Sequence, residues 1–498
     1  MDLHDLNQSL LLGSVVLLAA ILAVRLSVRV GLPSLLVYLG IGVLLGESVL
    51  GIEFSDADLA HALGFAALIL ILAEGGLTTK WSQVRPTIGL GLLLATVGVL
   101  ISVAVVALAA HYLLGLDWQV AILLAAVTSP TDAAAVFSVL RRLQLKSSVL
   151  GTLEAESGLN DAPIVLIVTA VSTGVATDHP LPVFALLVLL ELGFGAVIGL
   201  VVGRLGALLL RAVALPSSGL YPIAVLAFAI LAYAGATFLH GSGFAAVYIA
   251  ALVLGNTELP HRAATRSFAE GIGWLAQIGL FVMLGLLASP GLIEGWQIWT
   301  AIVAGAILTF VARPLSVVIC AAFTNTSWRE QVFLSWAGLR GAVPIVLASI
   351  PLAEDVPGAG DIFNIVFIFV IVYTFIQAPS LPLAARVLGV TTDGVRDVEV
   401  EAAPLERLAA DLLQIHVPRR SKLVGVEIAE LRLPVGSSVA LVVRGDASVV
   451  PLRTTRIKVG DDLLVVAPRN VREETERRLR SVAKSGRLAG WISQDEQD

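Results

Sequence analysis

A single cysteine, Cys320, in 498 residues excludes a disulfide framework and any thiolate metal centre. Histidine is scarce too: the seven present are scattered, with no HExxH-type spacing, so metal enzymology is not expected. No GxGxxG follows a strand-like run, which removes the dinucleotide-binding fingerprint, and no cofactor is expected. Charge is the last shortage, at 14% of residues against 57% hydrophobic and a mean hydropathy of +0.91. A chain this apolar treats lipid as its solvent, so it reads as a polytopic membrane protein with membrane lipid as a partner. The net charge of −6 points to no particular partner, and nucleic acid is not expected. The first apolar run, near Ser9, has no basic stretch before it and reads as a retained span rather than a cleaved signal peptide.

Apolar runs long enough to cross a bilayer predict about thirteen spans: 9–28, 33–50, 60–77, 88–113, 119–139, 149–173, 181–210, 219–239, 243–257, 271–288, 296–322, 331–351 and 362–387. Alternate connections hold the basic residues, from Arg25 and Arg29 through Lys80 and Arg85, Arg141, Arg142 and Lys146, Arg204 and Arg211, Arg262 and Arg266, to Arg329 and Arg386. The intervening connections hold acids such as Asp56, Asp117, Glu294 and Asp361 instead. Short cytoplasmic loops collect Lys and Arg, so the amino terminus is expected outside and the carboxyl terminus inside. Thirteen of the fifteen Lys and Arg before residue 390 are accounted for by these connections; the two that remain, Arg313 and Arg340, fall within spans.

After Val390 the composition turns polar. The expected organisation is a membrane domain over 1–390, a linker over 391–408, a small cytoplasmic α+β domain over 409–485 and a disordered tail over 486–498. Within the small domain, LLQIHVP, SSVALVVRG, ASVVPL and DLLVVAP read as strands, and LVGVEIAEL and VREETERRLRSV as helices.

The sixth span carries the densest chemistry. Glu154, Glu156 and Asp161 lie in one apolar run, and charges at membrane depth tend to mark ion or proton pathways. A helix would put Glu154, Ser157 and Asp161 on one face, with Glu156 and Asn160 beside them. Two other spans look interrupted: the fifth at Ser129-Pro130-Thr131-Asp132, the twelfth at Gly338, Gly341 and Pro344. With the first span set aside, these occupy matching places in two six-span halves of opposite direction, as inverted repeats do. Unwinding at Thr131 and Asp132 would free carbonyls for a cation, with Asp132 supplying charge. By span position, Asp132, Asp161 and Arg340 all reach mid-depth. Arg340 needs an anionic partner, and Glu156 is expected to be that partner. Glu74 is placed at the mouth of a cytoplasmic funnel. Glu191, Glu270 and Arg313 are tied to the site by no spacing and read as structural.

SPTDAAAV, EAESGLNDAP, GLRGAVPIVLA and AEGGL, in this order across the spans, resemble the monovalent cation/proton antiporters of the sodium/proton exchanger type. The tail, through KVGDDLLVVAP, is similar to the carboxyl-terminal half of the potassium-conductance regulator module, as in bacterial potassium/proton antiporters linked to cell-volume regulation. It lacks that module's nucleotide-binding half. The resemblance implies an inverted-repeat helical bundle, commonly a homodimer, working by an elevator-like shift. It also implies that Thr131, Asp132, Ser157 and Asp161 contribute oxygen to an alkali cation and that Glu74 lines the entrance or reaches the ion. Glu156, Asn160 and Arg340 would hold the architecture, and the tail would bind a small cytoplasmic ligand. One aspartate beside Asn160, rather than two adjacent acids, limits the charge carried and predicts one-for-one exchange of K⁺ or Na⁺ for H⁺, with both competing at Asp161. The weighed alternatives are a cation channel and a proton-coupled carrier of an organic solute on the same fold.

Overall fold

The computed structural model describes residues 3–30, 34–46, 50–52, 57–140, 143, 145–175, 180–213, 215–288, 290–341, 343–392, 400–405, 410–418, 421–445 and 447–486. The chain divides into two compact units, Met1–Thr392 and Asp393–Asp498.

The first unit is helical. Its helices are α1 (Leu3–Val30), α2 (Ser34–Leu45), α3 (Ala57–Thr78), α4 (Ile88–Tyr112), α5 (Trp118–Thr128), α6 (Ala133–Leu140), α7 (Ser147–Ser172), α8 (Leu181–Ala212), α9 (Leu220–Phe238), α10 (Gly243–Gly255), α11 (Arg262–Leu287), α12 (Gly295–Ala321), α13 (Trp328–Trp336), α14 (Val343–Ala353) and α15 (Ala359–Val387). A single turn, Trp81–Val84, precedes α4. Among the described residues, seven helices are long and apolar enough to cross a membrane, and shorter apolar helices include Ser34–Leu45, Trp118–Thr128, Gly243–Gly255 and Val343–Ala353. The count of thirteen crossings rests on the sequence alone.

Two groups of helices pack most densely within themselves: α2, α3 and α8 to α11 in one, α4 to α7 and α12 to α15 in the other. They meet where α3 and α10 lie against α7, and α3 against α14. Both expected interruptions are present. Helix α5 stops at Thr128 and α6 begins at Ala133; α13 stops at Trp336 and α14 begins at Val343. Pro130 explains the first, because it has no N–H to continue the ladder and disfavours helical geometry at Ser129. Each interrupted span follows a helix with one π-turn, Leu94–Gly98 in α4 and Leu308–Ala312 in α12. The π-turns thus recur at the same seven-span offset as the breaks.

The second unit is a five-stranded antiparallel sheet in the order β1-β2-β5-β3-β4, built from β1 (Val400–Leu405), β2 (Ala410–His416), β3 (Ser438–Arg444), β4 (Ala447–Val449) and β5 (Asp461–Pro468). Alternation in β5 sends Leu463, Val465 and Ala467 inward, where they meet Leu413 and Ile415 of β2 and Leu479 and Val482 of α16 (Arg472–Ser485). Two expectations need correction. The linker span 391–408 contains strand β1, whose backbone satisfies the outer edge of β2. LVGVEIAEL is not a helix beyond a 3₁₀ turn at Ile428–Leu431: Gly425 takes a positive φ of 86° that ends regular structure there. The expected tail over 486–498 lies outside the described residues from 487 onward.

Candidate ion-binding site

The two interrupted spans touch through backbone: the Asp132 N–H donates to Leu339 O at 2.8 Å. Each break exposes carbonyls at the end of a half-helix, and the local sequence answers them. In the last turn of α5, the Thr128 hydroxyl donates to Leu124 O at 2.7 Å and the Ser129 hydroxyl to Ala125 O at 2.7 Å. Thr128 O itself accepts from Arg340 Nε at 3.4 Å, and Arg340 Nη1 donates to Gly338 O. On the other side of the break, Asp132 Oδ1 accepts from Ala135 N at 3.2 Å, the N-cap geometry for α6. Gly341 is glycine because a Cβ there would run into the Asp132 carboxylate.

Helix α7 passes beside this crossing with Glu156, Asn160 and Asp161 buried. Asn160 Nδ2 donates to Thr131 O at 3.2 Å and Thr131 Oγ1 at 3.0 Å, and the Thr131 hydroxyl donates to Glu156 Oε1 at 3.1 Å. Glu156 is held by Arg313, which donates from Nη1 to Oε1 at 2.5 Å and from Nη2 to Oε2 at 2.8 Å, a bidentate pair with both side chains almost wholly buried.

The expected pair Glu156 and Arg340 is therefore corrected: Glu156 pairs with Arg313, and Arg340 pairs with carbonyls. Arg340 sits at the carboxyl end of α5, where the helix dipole favours a cation, while Arg313 Nη2 also donates to Leu334 O in the last turn of α13 at 3.2 Å. Arg313 was the missed residue, and two signals for it existed. A buried arginine in an apolar span demands an acid, and Pro314 directly after it cannot donate to Phe310 O. The ladder widens into the π-turn Leu308–Ala312 just before Arg313, which re-aims that side chain toward Glu156.

Asp161 lies one residue beyond Asn160, with 7% of its surface exposed, and its Oδ1 has no hydrogen-bond partner among the described residues. Asp132 is close enough for the two charges to interact. Glu74 of α3, packed against Gly273 of α11, feels the charge of Asp132 and also those of Glu270 and Arg266. Asp132 at the break thus interacts electrostatically with both Asp161 of α7 and Glu74 of α3. Ser157 sits one turn before Asp161 on α7 and is half-buried. Between them, Gly158 lacks the Cβ that would strike the ring of Tyr248, a buried residue of α10. Glu154, one turn before Gly158, feels Lys80 and Arg266.

A helical membrane bundle with two crossing interrupted helices, one neutralised buried acid and one buried acid with an unpartnered oxygen has the construction of a secondary transporter for small cations rather than of an enzyme. The family model described as sodium/hydrogen exchanger, transmembrane, matches residues 14–387, and a TrkA-C domain model matches residues 412–480. The chain is 35% identical over 479 residues to the K(+)/H(+) antiporter NhaP2 of Shewanella baltica (strain OS223), covering 94% of this chain and 82% of that protein. It is 37% identical over 416 residues to the K(+)/H(+) antiporter NhaP of Alkalimonas amylolytica, covering 82% and 71%. The solved sodium proton antiporter MjNhaP1 of Methanocaldococcus jannaschii shares the fold, with a TM-score of 0.66 at 23% identity over 77% of this chain and 100% of that one. The chain belongs to the sodium/hydrogen exchanger family and carries a TrkA-C domain.

Proposed function

We propose that the protein exchanges a monovalent alkali cation for H⁺, one for one, with Asp161 binding each in turn. The observation that carries this is the contrast between two acids on one helix: Glu156 is neutralised by Arg313, whereas Asp161 Oδ1 has no partner among the described residues. A carboxylate withdrawn from water with an unmet oxygen calls for a cation or a proton. Asp132, Ser157 and Thr131 offer the further oxygens a hard cation needs, and Glu74 marks the inner approach. The names of the relatives favour K⁺ as the cation over Na⁺. Alternating access would come from sliding the group containing α5 to α7 against the group containing α3 and α10. The protein would work as a homodimer in a bacterial inner membrane, amino terminus outside, with the TrkA-C domain in the cytoplasm responding to a small ligand.

The test is reconstitution into liposomes with a trapped pH dye, adding each alkali chloride in turn. Proton flux driven most strongly by KCl, without a current, is expected. Flux indifferent to every alkali cation would refute the reading, and a current would refute its one-for-one stoichiometry.

A further inference from the structure

We propose that a cleft at the cytoplasmic end of α3, α10 and α11 binds a phosphate group, from either a lipid headgroup or a free phosphate. Leu77 to Lys80, Leu254, Gly255, Leu259, Arg262, Thr265 and Arg266 line it. Its charged side chains are Lys80, Arg262 and Arg266, with no acid among the lining residues. Arg266 is partly engaged, donating to Glu270 Oε1 and Thr78 O at 3.3 Å each. The cleft also contains the start of α11, a helix of 26 residues whose N-cap position provides no side-chain cap. First-turn N–H groups of such a helix lack intrahelical partners and carry the positive end of its dipole, a combination that binds anions.

The second, independent observation is Thr265. It is 7% exposed, it lines the cleft from the first turn of α11, and its hydroxyl has no hydrogen-bond partner among the described residues. Buried hydroxyls are normally satisfied, so one left open beside two arginines and a lysine marks a missing acceptor. Chloride could meet the charge, but a phosphate oxygen also meets the hydroxyl and offers arginine a bidentate face. The walls of the cleft are pinned without the anion: Asn256 accepts from Trp81 N at 2.8 Å and donates to Thr79 O at 2.9 Å. Exposed Trp81 follows Lys80 directly, as suits a site at the lipid boundary. The lining residues come from the end of α3 and the segment after it, from α10 and from the start of α11; Glu154 feels Lys80 and Arg266, and Glu74 feels Arg266.

The full-length protein would be placed in phosphatidylcholine nanodiscs with or without phosphatidylglycerol, and separately titrated with inorganic phosphate against chloride at matched ionic strength. Bound lipid is counted by native mass spectrometry and stabilisation by thermal unfolding. Retention of phosphatidylglycerol alone assigns the site to a headgroup; stabilisation by inorganic phosphate assigns it to the free ion. Arg262→Gln should weaken whichever binding is seen by about tenfold, and Thr265→Val should weaken it as well. Arg204→Gln, an exposed cytoplasmic-side arginine outside the cleft, should leave it unchanged. Equal binding by Arg262→Gln and the parent, equal weakening by Arg204→Gln, or no response to either phosphate source overturns the assignment.

Discussion

Asp161 in the membrane unit and Asp461 in the TrkA-C domain are both buried aspartates, and they are treated in opposite ways. Asp461 is fully inaccessible and accepts from Arg444 Nε at 2.7 Å, Arg444 Nη2 at 2.8 Å and Lys458 N at 2.8 Å. Burial alone would raise its pKa, but the Arg444 hydrogen bonds and the Lys458 N–H outweigh that and hold it below the usual carboxylate range. Asp161 has an oxygen with no partner among the described residues. A carboxylate that serves the fold is saturated with donors, whereas under the proposed function Asp161 keeps a coordination position for a passing ion. Glu156, less than two turns from Asp161, belongs with Asp461 in this division.

The sharpest way to break the comparison is to unsaturate Glu156. Arg313→Ala leaves it buried and unpaired and should cost about 3 to 5 kcal/mol of stability, read as a fall in melting temperature. Glu156→Gln combined with Arg313→Gln should recover part of that loss, whereas Glu156→Gln combined with Arg340→Gln should not. Coupling of Glu156 to Arg340 rather than Arg313 in this cycle would reverse the pairing.

A smaller effect is expected at the border of the two helix groups. Gly158→Ala drives a methyl into the Tyr248 ring, and overpacking of this kind costs about 1 to 3 kcal/mol. Tyr248→Leu in the same chain should restore both stability and exchange. Failure of the rescue would show that Gly158 serves something other than this contact.

In the tail, Asp461→Asn should destabilise by about 1 to 3 kcal/mol, read as faster hydrogen exchange along Asp461–Pro468 in the full-length protein. Because the folded pKa is depressed, the Asp461 contribution is complete above the unfolded value of about 4 and is lost as pH falls through the folded value. The parent tail should therefore weaken in acid more steeply than the Asn variant. The smallest effect is expected from ending the chain after Val390, which should leave exchange intact and alter its regulation. Loss of all exchange in a folded, inserted truncation would contradict that.

The breaks at Pro130 and around Gly338 and Gly341 were legible because proline and glycine act through the backbone, which sequence reports directly. The acids at 132, 156 and 161 were legible because charge in an apolar run is conspicuous. The partner of Glu156 was not, since pairing depends on where side chains point, and a π-turn rotates Arg313 without leaving a periodic trace. Arg340 misled for a related reason: its partners are carbonyls, which every residue has and no sequence distinguishes. In the tail, β1 was hidden because an edge strand is recruited by its neighbour's open backbone rather than by its own pattern.

The central claim is that the unmet carboxylate of Asp161 is the group that alternates between cation and proton. Its most direct test is alkali-driven proton flux in liposomes containing purified Asp161→Asn, with the parent protein alongside. The substitution keeps the shape and removes the charge, so flux should vanish at every pH. In the parent, a tenfold rise in proton concentration below the site's own pKa should raise the apparent cation KM nearly tenfold, as competition for one site requires. Retained exchange in Asp161→Asn would contradict the claim.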